Sequence, residues 1–264
     1  MSDLGPPMDW LGRELDCAAC ACQTLLEQER CSLGHACVYD RYAKRIDRFF
    51  FWNPERANDF LAHPYFEVRA VAAKYVDVFH LPQLIQDPDE TVRWSAALRL
   101  PTKHLLTLVN DPHREVRIRV ASRLDPQELV AMIHDPDYYV RQVVARRIPE
   151  NLLTMMMRDA DVAVRVTIAG RIADTWLPGM ANDTEADVRY EVAKRMNAWQ
   201  LHLLLDDPDW RVRYEVASRT DPSFLRRLSN DEDELVRDVA RLRLNEGSAE
   251  VIRLVTHNPA CQPC

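Results

Sequence analysis

The chain has 264 residues, 47% of them apolar, enough to bury a substantial core, and a formal charge of −7. That balance argues against a generally basic nucleic-acid binder, whose phosphate contacts draw on Lys and Arg, and leaves only a locally basic face open. No run reaches the roughly 18 apolar residues of a membrane span, and the opening MSDLGPPMDW lacks the basic and apolar regions of a signal peptide. A cytoplasmic protein with reduced thiols is expected.

In chain order the cysteines come first. Cys17, Cys20, Cys22, Cys31 and Cys37 crowd into 21 residues, and the other two are Cys261 and Cys264. In reducing surroundings such clustering reads as metal ligation rather than disulfide formation. Cys17, Cys20, Cys31 and Cys37 form C-x2-C-x10-C-x5-C, four soft thiolates suited to zinc or to an iron-sulfur cluster, and spacing does not choose between them. The ferredoxin run C-x2-C-x2-C-x3-C-P is absent. Cys22, two residues from Cys20, is hard to direct at the same four-point site and is read as unliganded. His35 could replace a cysteine in a zinc site, although a lone loop histidine is more often solvated. Cys261 and Cys264 resemble half a metal site or a redox pair, with a frayed tail over 258–264 as the plainer reading.

Next, Arg41, Lys44, Arg45 and Arg48 fall on one arc of a helix, with Tyr42, Ile46, Phe49 and Phe50 opposite. Two readings fit: a connector burying its aromatics against the first repeat, or a cationic face turned to a negatively charged thiolate cluster. Asn53-Pro54 then opens a half-repeat.

From there the chain repeats every 24 residues, anchored by Val-Arg pairs from Val68-Arg69 to Val236-Arg237, eight copies without an insertion. Copies such as DPHREVRIRVASRLDPQELVAMIH open on Asp-Pro, which suits an N-cap followed by Pro at the first helical position. Apolar residues such as Val116, Val120, Ala121 and Leu124 then share one helical arc. The second half of each copy carries apolar residues spaced by three, such as Leu129 and Met132, as a short 3₁₀ helix would. A small-residue column (Ala73, Ala97, Ala121, Ala145, Ala169, Ala193, Ala217) implies close stacking, and Arg241 in the eighth copy reads as a polar terminal cap. The whole is an all-α solenoid, because one copy cannot bury its own apolar face. The expected division is a Cys-rich module over 1–52, repeats over 53–257 and a tail.

Arginine forms two columns. The Arg after each Val points to the seam between copies and reads as part of a structural Asp–Arg network, with an acid four residues earlier, present in six copies, as its natural partner. The second column (Arg99, Arg123, Arg147, Arg171, Arg195, Arg219, Arg243) is expected to be more exposed and is the better candidate for binding a partner.

The unit DPxxxVRxxVAxRL resembles the second helix of HEAT repeats, but the period is too short for two full helices. It is similar instead to the leucine-rich repeat variant family, over about residues 55–255. The resemblance implies an α-helix paired with a 3₁₀ helix in each repeat and a right-handed superhelix. Ala160, Thr184 and Glu232 depart from its Pro. Upstream, Cys17-x2-Cys20, then Cys31-Ser-Leu-Gly-His-Ala-Cys37, then Arg-Ile-Asp-Arg-Phe-Phe resemble the family's iron-sulfur module, which implies a [4Fe–4S] cluster held by Cys17, Cys20, Cys31 and Cys37.

The motifs HExxH, GxSxG, Walker A and GxGxxG are missing and there are only six glycines, so no enzyme is expected. The leading expectation is a scaffold that binds a protein partner, with the cluster serving structure, redox sensing or oxygen sensing. A nucleic-acid-binding solenoid is the second reading. An electron-transfer or cluster-supply accessory of nitrogen fixation, suggested by the resemblance, is the third.

Overall fold

A computed structural model describes residues 6–256. Among them regular structure is helical, apart from two isolated antiparallel bridges, Met8 to Glu14 and Ser32 to Ala36. No helix among the described residues is long and apolar enough to cross a membrane. Contacts divide the chain into two compact units, Met1–Met132 and Ile133–Cys264.

In the first unit the repeats supply the α-helices Phe66–Ala72, Glu90–Ala97 and Arg114–Arg123. Helices this short are marginal alone in water, and burial holds them: Val68, Val92 and Val116 are fully enclosed, as are Ala73, Ala97 and Ala121. The second halves form the 3₁₀ helices Val78–Gln86 and Pro126–Met132, with Leu81, Leu84, Leu129 and Met132 buried. Between them, Thr102–Leu105 is a single α turn running into the 3₁₀ segment Leu106–Leu108. The second unit repeats the pattern with the α-helices Tyr138–Arg147, Val162–Ala169, Ala186–Arg195 and Trp210–Arg219. Here Pro222–Leu228 is α-helical rather than 3₁₀; Asp221 caps Ser223 N–H and Pro222 sits in its first turn. The Glu234–Thr256 helix follows, and Arg241 is exposed on it, donating to Ser229 O at 3.0 Å.

The Asp-Pro step is not the helix start. The Glu90–Ala97 helix begins two residues later, capped by Asp89, whose carboxylate accepts Thr91 N–H. Asp87 instead closes a turn by accepting Asp89 N–H at 2.9 Å, an arrangement that Asp favours. Its other duty explains the displacement. Arg69 donates from Nε and Nη2 to both Asp87 oxygens at 2.7 and 2.8 Å, from 18 residues earlier. The same bidentate pairing joins Arg93 to Asp111 in the first unit, and Arg141 to Asp159, Arg165 to Asp183, Arg189 to Asp207 and Arg213 to Asp231 in the second. The network expected from sequence is therefore present, but its partner is the aspartate of the next copy and not the acid four residues earlier. Each arginine also hands Nη1 to a backbone carbonyl six residues back, as Arg93 does to Asp87 O at 2.8 Å.

The second arginine column departs from expectation more sharply. Arg99 donates to Ala73 O and Val76 O at 3.0 and 2.9 Å, and Arg123 to Ala97 O and Leu100 O at 2.7 and 2.8 Å. In the second unit Arg219 reaches Ala193 O and Met196 O, and Arg243 reaches Ala217 O and Thr220 O. These side chains are half-buried and satisfy the free carbonyls that end the preceding helix, where a cation also complements the helix dipole. They are structural caps, not an open binding face.

The repeat also begins earlier than its Val-Arg anchor. The Ala43–Trp52 helix and the 3₁₀ helix Pro54–Phe60 sit one period upstream: Arg45 precedes Arg69, Phe49 precedes Ala73, and Ala57 and Phe60 precede Leu81 and Leu84 by 24 residues each. Ile46, Phe49 and Phe50 are fully enclosed, as the connector reading expects. Arg45 does not join a cationic outer face; it is buried and paired with the enclosed Asp40 at 2.9 Å. The carbonyls that a column arginine would cap, Phe49 O and Trp52 O, are taken by Asn53 Nδ2 at 2.8 Å and Arg30 Nη2 at 3.2 Å.

Candidate metal centre

A series of tight turns places the cysteines. Asp16 accepts Ala18 N–H at 2.9 Å and Cys17 O accepts Cys20 N–H at 3.4 Å, which folds the first pair back on itself. The short Gln23–Glu27 helix comes next, with Cys22 at its N-cap. It ends at Glu29, whose φ of 58° reverses the chain and lets Arg30 N–H reach Leu25 O at 2.8 Å. Ser32 and Ala36 then exchange backbone bonds at 2.8 Å across a loop that includes Gly34 at φ 71°. Cys31 and Cys37 flank this miniature hairpin and leave it side by side, which gives the five-residue spacing its geometric meaning.

Cys17, Cys20 and Cys37 line a cavity of about 320 Å³, together with Trp10, Arg13 and Tyr39. Cys31 is buried behind Cys37 and hydrogen-bonded to it. All four residues singled out by spacing are thus brought to one neighbourhood. Among the described residues no three His, Cys, Asp or Glu side chains converge on a point as they would around a single metal ion; Cys17, Cys20 and Cys37 border a space, with Cys31 against Cys37. Cys22 is buried and lies outside the cavity wall, with its N–H on Cys20 Sγ at 3.4 Å. His35 is exposed and held by Arg48 Nη1, at 2.8 Å from its Nδ1. Cys261 and Cys264 lie outside the described residues.

The thiols resist ionising together. Cys31 is pushed well up, first because its S–H is bonded to Cys37 and then by burial, while Cys37 is held down as the acceptor of that bond, against burial, with help from the Tyr39 and Asp40 N–H groups. Burial, followed by the charge of Cys37, raises Cys17; burial, followed by the charge of Cys20, raises Cys22 to about 11. Four thiolates here need a cationic group among them, since bound metal inverts this repulsion and deprotonates its thiols. The thiol donor set and a cavity of this volume fit a polynuclear iron-sulfur group.

The cavity wall continues into the repeats. Asp9, buried, accepts Leu11 and Arg13 N–H at 2.9 and 2.8 Å and so shapes the strap that carries Trp10. Trp10 stacks on Tyr65 with centroids 5.8 Å apart and meets His63 edge-on at 4.8 Å. Tyr39 packs on His63 at 5.7 Å and on Phe60 at 6.2 Å. Trp10 and Tyr39 carry no spacing or repeat signal in the sequence. The available signal is His63 itself, the one position in the aspartate column that is not Asp.

Residues 7–59 match the family described as LRV protein FeS4 cluster. A stretch of 96 residues is 55% identical to an uncharacterized 27.7 kDa protein in the nifB 3′ region of Rhodobacter capsulatus, covering 36% of this chain and 39% of that protein. The match therefore spans well under half the length of that relative. The solved structure of a leucine-rich repeat variant with a novel repetitive structural motif shares 42% identity and a TM-score of 0.81, over 86% of this chain and 97% of that one. Paired α and 3₁₀ helices in a 24-residue register, a cysteine module at the amino-terminal side and this likeness lead to one conclusion: the chain belongs to the leucine-rich repeat variant family, with that family's iron-sulfur module.

Proposed function

We propose that the protein is a non-catalytic helical-repeat scaffold that binds a protein partner in the cytoplasm, and that a [4Fe–4S] cluster on Cys17, Cys20, Cys31 and Cys37 makes this binding responsive to oxygen or redox state. The supporting observation is the double duty of Trp10 and Tyr39. Both line the cysteine cavity and both pack on His63, so a change in the cavity is felt by residues on which the first repeat rests. When bound, such a cluster supplies reversible one-electron chemistry at a potential set by nearby charge and hydrogen bonds. The chain's own part is to hold four thiolates and to place Arg13 and Tyr39 at the rim. The nifB-region relative supports a setting in nitrogen fixation. Nucleic-acid binding loses its candidate groove, because the second arginine column is spent on carbonyls.

The test is partner capture with anaerobically prepared protein in oxidised, reduced and cluster-free forms. The proposal expects retention of a partner to differ at least severalfold between forms. Equal retention by all three forms would contradict it.

A further inference from the structure

In the second unit, grooves recur where consecutive Asp-turn segments lie side by side. One of about 440 Å³ and one of about 650 Å³ share Met155, Arg158 and Asp159, so the two adjoin as one trough's neighbouring halves, with Arg158 on their common border. The larger groove owes its width to Gly179. At the same register position the other copies of this unit carry Met155, Leu203 and Arg227, whereas a Cβ on Gly179 would meet only Met157 Cε, at 3.5 Å. The space that a long side chain occupies elsewhere is open here.

The lining has a definite chemistry. Trp176 and Met155 are 51% and 52% exposed, and Met157 and Met180 extend the apolar wall. Thioether-rich surfaces beside an aromatic ring adapt to varied apolar side chains. The acids of the trough are engaged: Asp159 is paired with Arg141, Asp183 with Arg165, and Asp135 accepts Asp137 N–H at 2.9 Å. Arg158 is exposed and has no hydrogen bond or ion pair among the described residues, so its guanidinium is free to take a ligand. Asn182 and Thr184 add polar side chains along its edge.

We propose that this trough docks an extended peptide segment of a protein partner, one that carries a carboxylate close to a large apolar side chain. The apolar group enters over Gly179 against Trp176 and Met157, and the carboxylate pairs with the free fork of Arg158, a geometry that favours bidentate recognition. A volume of this order suits a ligand of a few residues, and two grooves side by side at Arg158 favour a chain over a compact small molecule. This inference rests on the scaffold reading and names the segment that such a scaffold would hold.

The experiment uses the full chain and fluorescein-labelled octapeptides identical except for one pair, Trp-Glu, Trp-Gln or Trp-Lys, read by anisotropy. The Trp-Glu peptide is expected to bind at least tenfold tighter than Trp-Lys. Gly179→Leu, which fills the groove, and Arg158→Glu are each expected to weaken it tenfold or more, with circular dichroism and melting unchanged, while Arg226→Ala has no effect. Binding that ignores peptide charge, that survives both groove substitutions, or that inorganic phosphate displaces as well as unlabelled peptide does would overturn the proposal. Partner capture that persists undiminished in Gly179→Leu would also overturn it while leaving the scaffold reading intact.

Discussion

His63 Nδ1 accepts the backbone N–H of Tyr65 at 3.1 Å, the same two-residue turn that Asp87 makes with Asp89 and Asp111 makes with His113. A neutral ring thus replaces a carboxylate at one step of the repeat. In the period before it Arg45 is committed to Asp40, so no carboxylate is needed at 63, and the ring offers Trp10 and Tyr39 an apolar partner.

Burial holds the His63 pKa below its ordinary value. The unfolded chain therefore binds the proton at a higher pH than the folded one, so the stabilisation is complete above the ordinary value near 6.5 and is lost as pH falls through the lower, folded value. Thermal melts between pH 7.5 and 5 should show acid weakening of the first unit, and His63→Gln should flatten that slope. An unchanged slope would place the acid sensitivity elsewhere.

Removing Arg93 strands Asp111, whose side chain is 2% exposed. Loss of one partner of a buried pair costs about 3–5 kcal/mol, and Arg93→Ala should lower stability by that order in urea titrations followed by circular dichroism. Arg93→Lys should recover little, because a single ammonium cannot serve both carboxylate oxygens and Asp87 O. A cost below about 1 kcal/mol, the ordinary worth of a surface pair, would refute the structural role.

The caps make a smaller prediction. Arg99→Ala uncovers Ala73 O and Val76 O and should cost about 1 kcal/mol. The same substitution should leave any binding to double-stranded DNA unaltered in a salt titration. A drop in DNA affinity without loss of stability would restore this column as a binding face.

Gly34 holds φ 71° at the turn between Cys31 and Cys37. An L side chain there costs roughly 1–2 kcal/mol, although a Cβ would meet nothing within 4 Å. Gly34→Val should therefore leave the repeats folded and lower iron retention after gel filtration, because strain falls on the hairpin that aligns two of the four thiols. Full iron retention would show that the turn is not needed for the site.

The period, the Val-Arg anchor and the enclosed alanine column are legible in sequence because their chemistry is local and recurs in every copy. The role of Asp87 is not. Asp-Pro before a helix has the look of a cap, and an acid four residues before an arginine has the look of its partner, whereas a partner 18 residues away is fixed by tertiary packing alone. Arg99 and Arg123 mislead for a similar reason: helical angle places them toward the surface, but not against the carbonyl end of the helix before. The upstream repeat is hidden because Phe49 stands where later copies have Ala, and Lys44 where they have Val. At the site, spacing singles out the four clustered thiols. The burial of Cys22 and the reach of Trp10 to Tyr65 depend on how turns close in space, which no spacing records.

The most direct test is metal analysis of anaerobically purified protein, with Cys17→Ala alongside. The account predicts about four iron and four acid-labile sulfide per chain, the composition of a [4Fe–4S] centre, and a sharp fall in both for Cys17→Ala. One zinc per chain with no sulfide, or iron content unmoved by Cys17→Ala, would contradict it.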